Sequence, residues 1–324
     1  MRRSSAILSF STIKIVKLSK RSLAYSALLI TSLIWGVAVV VIKYTLNFID
    51  PLSFLFFRFL ISTAVLFPFF LIFIKKHPVS KKDFLKLFLL GTLSTTITLY
   101  LLFWGMQYTT AIDVSLISVL GPIMIIFAGA YFLKEKVTKR EKIGLSIAVL
   151  GAFIAILEPL LKRNSAHSQA LLGNFLVFLS YIAWAIYIIL YKKSSSKYHP
   201  VTITFFSFFS GLITLTPIFL IKNFSISQFL NFSIFPPLAA IPGILYMSLF
   251  SSCIAYFTYN LGVSLIEASE ATLFDYLKPI FTAPLAFFLL KEKITLPFLI
   301  GAMIIAIGVA ISEYNCHSEL DSEP

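Results

Sequence analysis

The sequence predicts an all-α integral membrane protein with ten transmembrane helices, built as two inverted five-helix repeats. Three observations support this prediction: the composition, ten long apolar stretches and an internal repeat. Of the 324 residues, 58% are hydrophobic and only 13% are charged, and the mean hydropathy is +0.92. An ordinary soluble domain is about half apolar and carries roughly a quarter charged residues. The composition therefore excludes a soluble enzyme and requires a surface that faces lipid.

Ten apolar stretches come close to the roughly 20 residues that a helix needs to cross a bilayer. The fifth and the tenth are shorter than the others, and the connections are mostly too short to form a second domain. The predicted spans are Leu23 to Leu46, Pro51 to Ile74, Phe84 to Met106, Val114 to Leu133, Ile143 to Leu157, Leu172 to Tyr191, Val201 to Ile221, Leu238 to Leu261, Ala271 to Leu290 and Leu296 to Ile311.

The chain also matches itself at two offsets. At an offset of 157, Pro122 falls on Pro279, and the Lys-Glu-Lys run at 134–136 falls on 291–293. At an offset of 149, Trp35 falls on Trp184. Each half then holds five spans, and because five is odd, the second half enters the bilayer from the opposite side.

These matches divide the chain into five parts. They are a basic amino-terminal segment (1–22), the first repeat (23–157), a connecting loop (158–171), the second repeat (172–311) and an acidic tail (312–324).

Basic residues set the expected orientation. If the amino terminus is cytoplasmic, 19 Lys and Arg residues lie on the inside and six on the outside, with Arg58 and Lys278 inside the spans. Cytoplasmic loops carry the excess of Lys and Arg. We therefore expect a multi-pass protein of the cell membrane with both termini in the cytoplasm.

Several short features occur in order and are duplicated in the two halves. With these features the sequence resembles the EamA family of the drug/metabolite transporter superfamily over residues 23–311. The features are Trp35-Gly36 with Lys43, Pro51 with Arg58, Phe103 to Ala111, Pro122 before Glu135, Gly144 with Gly151, Glu270 to Pro279, Glu292, and Gly301 with Gly308.

The resemblance implies secondary transport of small metabolites through a cavity between the two halves, which opens alternately to each side. Members of the family export amino acids and related compounds, and relatives move nucleotide sugars, phosphorylated sugars or drugs. Such proteins often carry a neutral polar residue before the ninth-span proline, where this chain has Lys278.

Lys278 is the leading candidate for substrate binding. It lies about 12 Å deep in the ninth span at 1.5 Å per residue, where a lysine facing lipid would cost about 3 kcal/mol or more. Asp275 lies three residues earlier on the same helix face and is its expected partner. The pair is either a structural ion pair or a device that recognises a carboxylate or phosphate. We expect Lys278 to face a cavity bounded by spans one, three, four, six, eight and nine.

Other residues have weaker assignments. Pro122 and Pro279 should kink their helices at matching positions, where interrupted transporter helices mark the midplane site. Arg58 is expected to be structural first, bonding carbonyls of neighbouring helices, and substrate-contacting second. Glu135 and Glu292 are expected to pair locally with lysines. The remaining substrate-binding candidates are Trp35, Tyr100, Trp104, Tyr256 and Asn260, and the residues expected to let helices pack closely are Gly144, Gly151, Gly301 and Gly308.

The sequence contains no P-loop, no nucleophile motif and no metal-ligand spacing among its two cysteines and four histidines. We therefore expect no enzyme activity, cofactor, metal or nucleic-acid partner. The expected partners are a small-molecule substrate and the lipid bilayer, with a proton or a counter-substrate for coupling. The predicted function is export of amino acids or related carboxylates. One alternative is an exchanger of phosphorylated metabolites or nucleotides, and another is a membrane-embedded lipid-processing protein.

Overall fold

The structure, a computed structural model, describes residues 19–76, 78–134, 138–157, 166–195, 197–223, 235–293 and 295–313. Across these ranges the chain forms ten helical segments and no strand. The segments are α1 Lys20–Thr45, α2 Pro51–Lys76, α3 Lys81–Tyr108, α4 Ala111–Leu133, α5 Lys139–Leu157, α6 Ala166–Ser195, α7 Pro200–Asn223, α8 Leu238–Leu265, α9 Ala268–Leu290 and α10 Leu296–Glu313.

Within the described ranges, eight of these segments are long and apolar enough to cross a membrane. The other two, α5 and α10, contain the shorter apolar helices Lys142–Gly151 and Leu299–Gly308. Large apolar side chains such as Leu150 and Phe288 point outward and are 63% and 75% exposed. An exterior of this kind suits lipid and not water. The predicted all-helical membrane fold is confirmed.

The helix ends differ from the predicted spans because polar residues extend the helices beyond the apolar stretch. Ser19 caps α1, since its hydroxyl accepts a hydrogen bond from the Ser22 amide, so the helix begins at Lys20 and not at Leu23. Helix α6 begins at Ala166, inside the predicted connecting loop. Most of the predicted amino-terminal segment and acidic tail, together with Glu135, lies outside the described residues.

Equivalent helices of the two halves pack against each other in antiparallel directions. Between α2 and α7, Phe56 stacks on Phe219 and Phe70 stacks on Phe205, so the residue order runs in opposite senses. Since α7 repeats α2 in the sequence, an antiparallel pair of this kind requires the second half to be inverted. The predicted inverted repeat is confirmed.

Glycines hold α5 and α10 together in the same antiparallel manner. A Cβ atom at Gly151 would lie 2.7 Å from the carbonyl oxygen of Gly301, and one at Gly308 would lie 2.5 Å from that of Gly144. No real side chain fits at such distances. The four glycines therefore let the two backbones touch, as small residues do in membrane bundles.

Helices α4 and α9 are interrupted at matching places. In α4, Ala111–Ile117 is followed by a turn and then by Leu120–Ala128, which contains Pro122. In α9, the short 3₁₀ segment Leu273–Leu277 separates Ala268–Thr272 from Lys278–Leu290, which contains Pro279. Each proline thus sits in the first turn of a new helix, where its missing N–H costs little.

Wider π-helical turns interrupt α3 and α8, also at matching places. They span Leu93–Ile97 and Met247–Ala255. Such turns rotate the side chains that follow and are frequent at functional sites. Two of the four interrupted helices carry the polar residues of the bundle centre: α8 carries Ser251 and Tyr256, and α9 carries Asp275 and Lys278.

Candidate binding cavity

A cavity of about 90 Å³ lies between the two halves of the molecule. Its walls come from α1, α2 and α3 of the first half and from α6, α8 and α9 of the second. The lining residues are Trp35, Ala38, Val39, Ile42, Arg58, Thr98, Leu99, Leu102, Phe103, Ser180, Tyr181, Trp184, Met247, Ser251, Tyr256 and Lys278. Among the described residues, the fourth span, expected as a wall, contributes no lining side chain, and α2 supplies Arg58 instead.

Aromatic rings form one side of the cavity. Trp35 and Trp184, which are partners in the repeat, meet edge to face with ring centroids 5.6 Å apart. Tyr256 and Tyr259 pack on Trp35 at 5.4 and 5.1 Å. The Trp35 indole N–H donates to the backbone carbonyl of Ser251 at 3.2 Å, which fixes the ring. The result is a rigid aromatic wall with its polar edge satisfied.

Lys278 and Asp275 form an ion pair at this wall. The Lys278 ammonium lies 2.8 Å from Asp275 Oδ1, and the two side chains are only 10% and 4% exposed. The same ammonium lies 4.6 Å from the centre of the Trp35 ring, a cation–π distance. The equivalent positions in the first half are Ser118 and Gly121. This buried charge pair therefore exists in one repeat and has no counterpart in the other.

Arg58 supplies the second cation of the cavity and is 1% exposed. Its Nε–H donates to the Ser252 hydroxyl at 2.8 Å, and Nη2 donates to the Ser251 hydroxyl at 3.3 Å. The guanidinium carbon lies 5.6 Å from the ring centre of Phe103 and 6.0 Å from that of Phe208. In the part of the chain that the structure describes, no carboxylate lies within ion-pair distance of Arg58.

Four of the predicted site residues come together here: Lys278, Trp35 and Tyr256 line the cavity, and Asp275 stands beside Lys278. Three others lie elsewhere. Asn260 is fully buried between helices, where its amide donates to the Thr204 hydroxyl at 3.0 Å.

Tyr100 and Trp104 are not among the residues that line the cavity. Their rings lie 5.9 Å apart, Tyr100 is half-buried and Trp104 is 39% exposed. The roles predicted for these two residues and for Asn260 stay predictions.

Sequence reasoning missed a contact between the halves at one end of the bundle. Glu292, which follows α9, accepts hydrogen bonds from the backbone amides of Ala111 and Ile112 at 2.8 and 2.9 Å. These amides begin α4, so the carboxylate caps a helix of the other half. The expectation that Glu292 pairs locally with lysines is wrong, because its two carboxylate oxygens accept from the open N–H groups of α4 instead. The repeated Lys-Glu-Lys run drew attention to Glu292 in the sequence but did not indicate which groups it contacts.

Two repeated lysines close helix ends within each half. Lys43 donates to the carbonyl oxygen of Met106 at 2.8 Å, and Lys192 donates to that of Val263 at 2.7 Å. Lys43 matches Lys192, and Met106 matches Val263, at the two offsets of the repeat. These cations satisfy the carbonyls at the ends of α3 and α8.

Surface ion pairs join the two halves at both ends. At the end where α1 begins, Arg21 bonds Glu270 and Lys197 bonds Asp83, both at 2.6 Å. Hydrogen bonding to Asp83 raises the pKa of Lys197. At the opposite end Lys222 bonds Asp50 at 2.9 Å.

Burial of Asp50 would raise the pKa of its carboxyl group, but hydrogen bonds from Ser53 and Lys222 outweigh that effect and lower the pKa. Exposed pairs of this kind are weak, typically below about 1 kcal/mol. They can therefore break during a conformational change.

Comparison with known proteins points to one family. The model of the EamA-like transporter family matches residues 22–157 and 171–314. An uncharacterized transporter of Archaeoglobus fulgidus is 27% identical over 90% of this chain and 97% of its own length. The uncharacterized transporter YyaM of Bacillus subtilis is 27% identical over 88% of this chain and 92% of its own. A crystal structure with 13% identity superposes with a TM-score of 0.63 over 92% of this chain and 98% of that chain, which shows a common fold.

Proposed function

The chain belongs to the EamA-like transporter family, and on this premise we propose that it is a secondary transporter of carboxylate-bearing metabolites, amino acids or related compounds. The direction is export across the cell membrane, and the mechanism is alternating access. Both termini lie in the cytoplasm in this proposal.

The observation that carries the proposal is the buried ion pair Lys278–Asp275 at the wall of a cavity between inverted halves. A charged lysine inside a bilayer costs about 3 kcal/mol or more and is rarely kept without a purpose. An arriving carboxylate would compete with Asp275 for the ammonium. An anion bound to the ammonium offsets part of the free-energy cost of burying Lys278, and a neutral substrate cannot do so. The site therefore selects anionic substrates.

Alternating access is supported by how the halves meet. The cavity of about 90 Å³ is well below the roughly 300 Å³ at which ligand pockets of drug-sized molecules begin. A metabolite therefore needs the halves to part on one side. Among the described residues, the polar contacts between the halves at the two ends include ion pairs and a helix cap, which can open by rocking of one repeat against the other.

Asp275 provides a route for coupling. Protonation of its carboxylate from one side of the membrane would release Lys278 for the substrate, so a proton would travel with the carboxylate. A counter-substrate that displaces Asp275 would serve the same purpose.

The test is transport by the purified protein in liposomes, with radiolabelled amino acids, nucleotides and sugar phosphates presented under equal ionic conditions. We expect saturable counterflow of amino acids and none of their α-carboxamides, which lack the carboxylate. Empty liposomes control for leakage. Transport of amides as well as acids, or of none of the carboxylates, contradicts the proposal.

The exchanger of phosphorylated metabolites is kept as a second candidate, because the cavity carries two cationic side chains, Lys278 and Arg58. A dianion could use both when Asp275 is protonated. In the same assay this function predicts counterflow of sugar phosphates or nucleotides that exceeds counterflow of amino acids.

A further inference from the structure

We infer that Arg58 is a second residue that binds the carboxylate of the substrate, in addition to Lys278, with its guanidinium acting as a fork for the two carboxylate oxygens. This inference rests on the proposed function and deepens it. It also changes the role expected for Arg58 from the sequence, where it is structural first.

Charge balance in the cavity is the first argument. Lys278 already has a carboxylate partner in Asp275. Arg58 has none among the described residues, and the ionisable groups nearest to it are Tyr256 and Cys253, which are neutral near pH 7. The unbalanced positive charge of the cavity therefore resides on Arg58.

Unused hydrogen-bonding capacity is the second argument. A guanidinium carries five N–H donors, and two atoms of Arg58 donate to Ser251 and Ser252. The other N–H groups have no partner in the described part of the chain, although the side chain lines the cavity. A buried charge is costly unless it is paired. Neutral serine hydroxyls compensate this positive charge poorly, so the guanidinium of Arg58 is available to bind an anion.

The surroundings of Arg58 favour a planar anion. Phe103 and Phe208 lie within cation–π distance of the guanidinium and offer no acceptor for its N–H groups. The in-plane N–H groups that do not bond Ser251 and Ser252 are thus left for a ligand. A carboxylate meets two of them at once, which is the pairing at which arginine surpasses lysine.

The internal repeat gives a fourth argument. Phe57 and Phe59 on either side of Arg58 recur as Phe206 and Phe208, whereas Arg58 itself is replaced by Ser207. In this segment the repeat therefore preserves the packing residues and varies the charged residue that faces the cavity. A side chain needed only to hold the helices would serve both halves alike.

The experiment compares Arg58→Lys, Arg58→Gln and wild type in liposomes, with labelled L-leucine, L-threonine and L-glutamate as probes. Arg58→Lys keeps the charge and loses the fork, so we expect its KM to rise at least about tenfold while its maximal rate changes little. Arg58→Gln should show no saturable transport. The control Lys43→Gln removes a half-buried cation outside the cavity and should leave KM unchanged.

A thermal unfolding midpoint measured in detergent separates binding from folding. A buried charge without a counter-ion is costly, so its removal relieves a cost that offsets the loss of the bonds to Ser251 and Ser252. We expect the midpoint of Arg58→Gln to equal or exceed that of wild type, and we expect L-leucine, L-threonine and L-glutamate to raise the wild-type midpoint and not that of Arg58→Gln.

Wild-type KM in Arg58→Lys overturns the inference, even if Arg58→Gln fails to fold. That result leaves the proposed function intact as long as wild type carries the three probes. If wild type carries none of them, the proposed function and this inference fall together.

Discussion

The pairing of Asp275 with Lys278 has two effects that a single charged residue could not have. Their pairing keeps both ionised side chains within the bilayer, since each compensates the other at 2.8 Å. It also means that Lys278 reaches a substrate only when Asp275 lets it go. In our proposal Arg58 holds the carboxylate, and Lys278 joins it only after release from Asp275, so the coupling step resides on the ion pair.

Substitutions of the pair distinguish this division from a purely structural role. Lys278→Gln leaves Asp275 buried without its cation, so we expect transport to be lost while folded protein stays in the membrane. Asp275→Asn should retain exchange of carboxylates and lose its dependence on a pH gradient, because no proton can then be taken up. Counterflow in liposomes with and without an imposed gradient measures both effects.

The double variant Lys278→Gln with Asp275→Asn is the matched control. If both single variants misfold and the double variant restores folding and gradient-dependent transport, the pair is structural and neither residue acts in coupling.

The sequence reveals this ion pair because its members are three residues apart on one helix. The partners of Arg58 cannot be read in the same way, since Ser251 and Ser252 lie more than 190 residues further along the chain. What makes Arg58 unusual is the absence of a carboxylate among the described residues near it. Which side chains surround Arg58 depends on how six helices pack in three dimensions, and the order of residues in the sequence does not reveal it.

At the scale of helices, the amino terminus of α4 is capped by residues of both halves. The first amides of a helix lack intrahelical acceptors and carry a partial positive charge. Thr110 satisfies the Asp113 amide at 3.0 Å, and Glu292 satisfies those of Ala111 and Ile112. Because Glu292 follows α9, this cap joins α4 to α9, the two helices that are interrupted near a proline, at one end of the molecule.

Glu292→Gln tests the contribution of this cap. The amide side chain presents one acceptor oxygen in place of two and carries no charge, so we expect a loss of about 1 kcal/mol in unfolding free energy. Lys293→Gln, a change at an exposed neighbour, should have almost no effect. Thermal unfolding of the purified variants measures the difference. Equal midpoints for Glu292→Gln and wild type would show that water replaces the carboxylate without loss.

Only some of the interruptions within helices can be predicted from the sequence. The prolines at 122 and 279 are plain in the sequence and lie in the first turns of new helices. The π-helical turns at Leu93–Ile97 and Met247–Ala255 carry no proline or glycine and so give no local signal. They arise where tertiary packing outweighs local preference.

At the scale of the molecule, the fold follows from the sequence more directly than the site does. Two offsets of the repeat predicted five plus five helices, and the antiparallel stacking of Phe56 on Phe219 and Phe70 on Phe205 agrees with the inversion. Apolar length and repetition are linear properties of a chain. The composition of the cavity is not, because it combines side chains from six separated segments.

Orientation in the membrane is the whole-molecule prediction that follows. With the amino terminus inside, 19 basic residues lie on the cytoplasmic side and six on the outer side, as the positive-inside rule requires. Most of this bias comes from the first half, so the two halves need separate tests. Single cysteines in a Cys253→Ser, Cys316→Ser background would provide them.

In the first half, Asn47→Cys in the turn after α1 should react with an impermeant thiol reagent added outside intact cells, and Lys82→Cys should react only after the cells are opened. In the second half, Lys293→Cys should behave like Asn47→Cys, and Glu267→Cys like Lys82→Cys. Each pair flanks a span, so its members must label from opposite sides if the helices cross. Because the halves are inverted, reversal of both pairs would place the amino terminus outside, whereas reversal of one pair alone would contradict the ten-span arrangement.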